Sequence, residues 1–536
     1  MSELKGLQGR MGSGRITRRS FLGQSAALGV AGTGLLKMAG PATAAESSTP
    51  AVPTKGGHLR FAIGHGATSD VLDPGKVLNG FLSSTHYAVT NTLTEVDADG
   101  KLLPKLAESW EPTADAKTWS FKLRPGVEFH DGRSLKPDDV IASINHHRGA
   151  DSQSSAKTLV DPITAIVADG DRVTVTLAGG DVDFPFKLSS FNFPIYPANA
   201  DGSLDWQGSN GAGAYRLVRF APGERAEFER NPNHWQQDRG HFESGELIAV
   251  ADSTARQNAL ITGEVDGIDR VEPKIARRLG AEEGVALKEV ASKTHYTFPM
   301  RTDMAPFDNR DVRLAMKHAV DREALLRTIL HGYGTIGNDQ PVSSAYPTFD
   351  PGLQQRSYDP DRARHHLAKA GLSDLTVTLT AADAAFSGAV DAAVLFSEHA
   401  SKAGIAIEVE RVPNDGYWSE VWMKRPFCAC YWPGYPTADS ILTQAYAAGA
   451  PWNDTFWDHE RFNELLVAAR SELDADRRAE MYAEMQLILN EDGGVILPFF
   501  ASDLFAVSDR VGHGALSGSY EVDGRMFFER WWFQEA

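Results

Sequence analysis

Two cysteines, Cys428 and Cys430, stand two positions apart in "FCACYWPGYPTADS" (427–440), and the chain has no others. Zinc and thiol–disulfide sites use Cys-x-x-Cys, and a zinc site needs a second pair of ligands. A bridge between residues i and i+2 would close a small, strained ring. On a strand, alternate residues share a face, so Cys428, Cys430 and Trp432 line one surface and Phe427, Ala429 and Tyr431 the other. The stretch reads as pocket wall with two buried, free thiols, and no metal site is expected. His146-His147 and His365-His366 are adjacent pairs, which diverge on a helix and lack the i,i+4 partner of a helical zinc site; they read as exposed polar residues. His130-Asp131 closes a strand and reads as a turn. "GYGTIG" (332–337) follows a helix and runs into Asn338, Asp339 and Pro341, so it is a flexible loop and not a dinucleotide fingerprint. No Gly-x-Ser-x-Gly elbow or P-loop occurs, so no catalytic residue and no cofactor are expected.

Charge narrows the partners. Formal net charge is -18 over 536 residues, but residues 1–45 hold six Lys/Arg and one acid. The remainder carries 47 basic and 70 acidic side chains, a net of -23. Such a surface repels phosphate backbones, so no nucleic-acid partner is expected. The basic start precedes "TRRSFLGQSAALGVAGTGLL" and then "GPATAAESS". That order is an export leader, and Thr17-Arg18-Arg19-Ser20-Phe21-Leu22 resembles the twin-arginine type. Cleavage near Ala44 is expected, in preference to a retained anchor, because Gln24, Ser25 and repeated glycines weaken the segment as a spanning helix. The mature chain is expected in the periplasm as a monomer.

The elements that must position any site alternate between two periods. Leu59, Phe61 and Ile63 share a strand face, as do Trp119, Phe121 and Leu123, then Val173, Val175 and Leu177. "LTVTLT" and "IAIEVE" repeat the pattern around a helix near 385–403. Asp359 as N-cap, Pro360 at the first turn and Gly371 past the end mark one helix. Val312, Ala315, Met316 and Ala319 give another an apolar face, and Asp321 opens the next. Residues 458–490 are helical. The class is α/β with more than one sheet, and the length asks for several domain-sized units.

Three segments, taken in order, resemble the family 5 extracellular solute-binding proteins of ABC importers, the peptide/nickel/opine-type class. They are "LTEVDADGKLLPKLAESWEPTADAKTWSFKLRPGVEFHDGRSLKPDDVIASI" (93–144), "GAGAYRLVRFAPGERAEFERNPNHW" (211–235) and "PFDNRDVRLAMKHAVDREALL" (306–326). The resemblance implies a two-lobed periplasmic-binding-protein fold (type II, cluster C) with an extra subdomain. After the leader (1–45), it places the first lobe at 46–97, 203–305 and 496–536, the extra subdomain at 98–202 and the second lobe at 306–495. It implies a small-molecule ligand held between hinged lobes and delivery to an inner-membrane ABC permease, with no enzymatic turnover. The solute would be a peptide, an opine or a related compound. The alternative class is a secreted hydrolase of a peptide-like or sugar-like substrate.

In peptide binders of this class, an aspartate in an Ala-Asp-Tyr-like stretch takes the ligand ammonium; at the matching place this chain has Gly434. Trp, Tyr and Phe side chains crowd residues 417–457, and Trp432, Tyr435 and Trp452 stand beside loop-type neighbours, suited to stacking or cation–π contact. Arg301 is expected to meet a carboxylate or phosphate, and His65, in the loop after the first strand, to face the cleft. Asn453 would pair with hydroxyl or amide groups, and Asp439 would replace the missing carboxylate or cap a helix. The ligand-binding set is therefore Trp432, Tyr435, Trp452, Asn453, Arg301, His65, Gly434 and Asp439.

Overall fold

The computed structural model describes residues 53–534; the leader and its cleavage site lie outside them. A seven-stranded mixed sheet is centred on His58–Ile63, whose Leu59, Phe61, Ala62 and Ile63 are fully buried. That strand runs parallel to both neighbours, Ser244–Ala249 and Gly267–Ile268. Arg225–Arg230 and Tyr215–Ala221 extend the sheet on one side, Asp503–Ser508 and Val285–Val290 on the other. A second, antiparallel sheet has the order Gly334–Ile336, Val495–Ala501, His295–Pro299, Cys430–Trp432. A parallel pair, Leu375–Ala381 with Ile405–Arg411, flanks it under the helix Ala389–Ser401. The extra subdomain is a four-stranded antiparallel sheet, Ala107–Pro112, Thr118–Leu123, Arg172–Leu177 and Ile163–Asp169, around its own apolar core. Among the described residues no helix is long and apolar enough to cross a membrane.

Local chemistry explains most boundaries. Asp359 accepts from the Arg362 N–H (2.9 Å) at the start of Pro360–Lys369, and Gly371 takes φ +80° beyond its end. Asp321 caps Arg322–Ile329 through the Ala324 N–H (2.9 Å). The helical stretch near 458–490 is two helices, Glu460–Ser471 and Ala475–Asp492, because Asp474 opens a new cap.

His295–Pro299 and Val495–Ala501 lie in the second sheet, so the chain passes from the first sheet to the second between Val290 and His295 and returns between Ala501 and Asp503; the expected lobe limits, 305/306 and 495/496, lie one strand away from these passages. The crossings run side by side, with Val290 opposite Asp503 and His295 opposite Phe500. The "GYGTIG" stretch is not a free loop either. Gly334–Ile336 is an edge strand, and a Cβ at Gly334 or Gly337 would run into the Phe500 or Leu497 carbonyl. These glycines permit close backbone approach.

The histidine pairs also differ from expectation. His147 is buried against Ser154 (2.6 Å), His146 pairs with Asp73 (2.6 Å) and His366 with Asp311 (2.7 Å); of the four, His365 is exposed. Asp131 forms the expected turn, accepting from the Arg133 N–H (3.0 Å).

Candidate ligand cleft

The parallel strands His58–Ile63 and Gly267–Ile268 deliver His65 and Asp269 at their carboxyl ends, where open α/β sheets bind ligands. Asp269 is fully buried. Its Oδ1 accepts from the Gly64 N–H (2.7 Å) and lies 3.4 Å from Arg256 Nε, while its Oδ2 lies 3.7 Å from His65 Nδ1. Arg256 is anchored by donating from Nη1 to the Val250 (2.7 Å) and Ala251 (3.0 Å) carbonyls. Glu521 holds two more guanidinium groups, Arg525 and Arg270, the latter with Nε at 3.3 Å.

Burial dominates the electrostatics. It pushes Asp269 up to about 6, helped by Glu521, and lowers His65 to about 4, helped by Arg270 and Arg525. Asp503, at the return crossing, is pushed up to about 7 by burial and by Glu521. Burial would raise Glu521 as well, but Arg525 and Arg270 outweigh it and hold that carboxyl below its ordinary value.

The backbone here is under constraint. Val522, Asp523 and Arg525 have φ of 50°, 54° and 66°, and Arg270 has 50°. A β-branched residue in the left-handed region is an outlier, maintained only where the surroundings hold it. Asp503 supplies that hold by accepting from the Val522 N–H (2.6 Å).

The facing wall, in the second lobe, is aromatic. Tyr296 stacks on Phe386 (centroids 4.3 Å) and lies within electrostatic range of both Arg270 and Tyr431. Tyr431 is 42% exposed and meets Trp418 edge-on (5.6 Å). Cys428 and Cys430 are buried and unbridged, with Trp432 on their face, as the strand alternation requires. Trp432 itself is only 3% exposed and packs in the core cluster with Val342, Tyr346 and Tyr446, so it backs the wall instead of lining it. Tyr435 is half-buried 6.4 Å from Trp432 and donates to Gln444 Oε1 (3.1 Å).

Gly434 faces Lys293: a Cβ there would sit 3.0 Å from the lysine Cβ. Lys293 is buried, donates from Nζ to the Pro436 carbonyl (3.0 Å), stands 4.4 Å over the Tyr346 ring, and is lowered to about 8 by burial. A carboxylate is thus missing where a cation stands behind the wall.

Three expected ligand groups are committed elsewhere. Arg301 donates to both oxygens of Asp303 (3.0 and 2.7 Å) and to the Met423 carbonyl (2.9 Å), stacked over Phe456. Asp439 accepts from Arg470 Nε (2.8 Å), and the neighbouring helix cap is Thr437. Asn453 donates to the Ala447 and Trp457 carbonyls and accepts from Thr455 (2.9 Å). Trp452 is 50% exposed. A groove of about 640 Å³ lies over the polar face of the parallel pair (Thr376, Thr378, Glu408, Glu410) and is lined by second-lobe residues alone. Between the crossing at Val290–Ala291, the loop at Ser344–Ala345 and the first-lobe residues His513 and Gly518 runs a second groove of about 380 Å³. Asp269, Arg270, Glu521, Arg525 and Lys293 had no sequence signal, since each comes from a short element without periodicity.

Comparison with known proteins decides the class. The family model described as bacterial extracellular solute-binding proteins, family 5 (middle region), matches residues 101–453. The chain belongs to this family. Family 5 proteins are the solute-binding components of ABC importers, and the relatives found are binding proteins, not enzymes. The chain is 24% identical over 442 residues to the glutathione-binding protein GsiB of Pectobacterium atrosepticum, covering 78% of this chain and 84% of that one. It is 24% identical over 470 residues to di/tripeptide-binding protein 1 of Pseudomonas aeruginosa, again covering 78% and 84%. The structure of HbpA2 from Haemophilus parasuis superposes with a TM-score of 0.80 at 19% identity, covering 89% of this family 5 chain and all of the other. The two-lobed type II fold follows from this match.

In this family 5 chain the extra subdomain also touches the helices of the second lobe. Arg478, on Ala475–Asp492, pairs with the buried Asp183 of the extra subdomain (2.8 Å), and the Val182 N–H donates to the Arg470 carbonyl (2.7 Å).

Proposed function

We propose that this protein captures a small organic solute, a peptide, an opine or a related compound, between its lobes and hands it unchanged to an inner-membrane ABC permease. It acts in the periplasm as a monomer, after twin-arginine export and cleavage near Ala44. The observation that carries this reading is the pair of adjacent crossings joining a charged wall to an aromatic one, which suits hinged capture. The relatives named for glutathione and for di- and tripeptides support a solute with peptide-like polar groups. His65 lines the first-lobe wall, Gly434, Tyr435 and the exposed Trp452 belong to the second, and Trp432 stiffens it from behind.

The test is to recover what the purified protein carries. Denaturation should release a small molecule, identified by mass spectrometry, that rebinds the refolded protein and returns chemically intact after prolonged incubation. Tyr435→Ala should weaken that rebinding roughly tenfold, the loss of one well-placed ring contact. Conversion of the molecule during incubation would overturn the reading.

A further inference from the structure

The second-lobe wall presents no carboxylate at Gly434 and has the Lys293 ammonium behind it, so a ligand ammonium is repelled there. The first-lobe wall offers the complementary chemistry. Gly80 opens the ten-residue helix Gly80–Val89; Asn79 Oδ1 caps the Leu82 N–H (3.0 Å), which leaves the Gly80 and Phe81 N–H groups of the first turn and its partial positive charge facing outward. A Cβ on Gly80 would fall on Arg525 Nη1 and within 2.6 Å of His65 Nδ1. Arg525 Nη1, His65 Nδ1 and Asp269 Oδ2 are all buried without a hydrogen-bond partner, and Arg525 and Asp269 are themselves more than nine-tenths buried. Arg525 is held by Glu521 through Nη2, and Asp269 is held through Oδ1, so each group keeps one atom, Nη1 and Oδ2, without a partner beside a helix N-terminus, with the exposed Arg270 and the partly exposed Glu521 at the rim.

We propose that this cluster is the subsite for an α-amino-acid head of the solute. The carboxylate sits on Arg525 and the first turn of Gly80–Val89, with Arg270 at the rim. The ammonium sits on Asp269 Oδ2, with Glu521 beside it. His65, neutral in this setting, accepts from or donates to the head through Nδ1. A carboxylate alone would leave Asp269 Oδ2 without a partner, and an ammonium alone would leave Arg525 Nη1 without one; a buried polar atom left without a partner is what makes such sites discriminate. A metal is the rival, since His65, Asp269 and Glu521 bring ligand atoms within 4.8 Å of one another. Arg256 and Arg525, which bear on Asp269, and Arg270, which bears on Glu521, oppose a dication there. The remainder of the solute would extend toward Tyr296 and Tyr431. The proposal rests on the cleft being the ligand site.

Calorimetric titration of the purified protein with L-phenylalanine, its N-acetyl derivative and its amide tests the head directly. The zwitterion should bind saturably, and the two capped forms at least about tenfold more weakly. Gly80→Ala, whose methyl displaces Arg525, and His65→Gln, which keeps a polar group, should each lose the zwitterion's advantage while retaining thermal stability. Equal binding of a capped form, an unaffected Gly80→Ala variant, or tight Zn²⁺ binding that His65→Gln abolishes would each overturn the subsite. If all three probes fail while the molecule released from the native protein rebinds, the subsite is wrong and the receptor stands. If that molecule also fails to rebind, the receptor reading falls with it.

Discussion

Asp339 in the second lobe and Asp269 in the first are both fully buried aspartates among arginines, yet their carboxyls are displaced in opposite directions. Asp339 accepts from Arg322 Nη2 on both oxygens (2.6 and 2.7 Å), from Arg356 Nε (3.1 Å) and from the Leu497 N–H (3.1 Å). Burial would raise it, but Arg322, Lys317 and Arg356 win and hold it below its ordinary value. Asp269 accepts one backbone N–H, feels Arg256 and Arg525 without a short hydrogen bond from either, and has a second carboxylate, Glu521, as a neighbour, so burial wins. A buried charge with every lone pair used is architecture. One with an oxygen left over is a place where something else can bind.

The contrast makes its largest prediction for stability. Asp339→Ala leaves buried Arg322 without its carboxylate and strips one of two carboxylates from Arg356, which keeps Glu491 (2.9 Å), and should cost about 3–5 kcal/mol in urea unfolding, with ligand affinity of the folded fraction unchanged. A cost below about 1 kcal/mol would erase the distinction between the two aspartates.

The second prediction concerns pH. Asp269 is raised from an ordinary 3.8 to about 6, so between those values the folded chain holds a proton that the unfolded chain has released. Stability therefore falls as pH rises through that window, and the penalty is fully present above about 6. A shift near two units corresponds to about 3 kcal/mol at most. Asp269→Asn should flatten the decline in melting temperature between pH 4 and 6 and raise stability at pH 7, leaving the portion due to Asp503, which extends to about 7. Asp339, held low, acts in the opposite sense and only in acid, losing its contribution as pH falls below its ordinary value. An unchanged profile in Asp269→Asn would place that carboxylate in the same structural class as Asp339.

The smallest effect belongs to the Asp183–Arg478 contact across the clamp. Arg478→Met removes it, and the unliganded protein should show a larger radius in small-angle scattering. Affinity should weaken about fivefold, the worth of one interlobe hydrogen-bonded pair of about 1 kcal/mol. An unchanged radius would mean that the pair serves the subdomain alone.

The sequence was most informative where one face of an element is buried. Leu59, Phe61 and Ile63 alternate, and Asp359-Pro360 announces a helix, so both were readable. Val495–Ala501 is buried on nearly every residue, and a strand apolar on both faces carries no sign of which sheet it joins. Hence the sequence could not show which sheet this strand would join. The aromatic wall was legible from the density of rings around Cys428–Tyr435. Asn453 and Asp439 looked free because the Trp457 carbonyl and Arg470 are brought to them by folding, and Arg301 because its short-range pairing with Asp303 is fixed only by the Met423 carbonyl and Phe456. Of the charged wall, His65 alone was expected from the sequence. Asp269 follows a two-residue strand, and Glu521 and Arg525 occupy a four-residue turn and its end with left-handed backbone.

Because the two crossings are short and hydrogen-bonded side by side, the halves can swing about a single axis with little freedom to slide or twist. The width of the entrance and the gap at its base then change together. A solute too bulky to let the entrance close would also draw the charged head site away from the aromatic face, so length as well as head chemistry should be screened by the same motion.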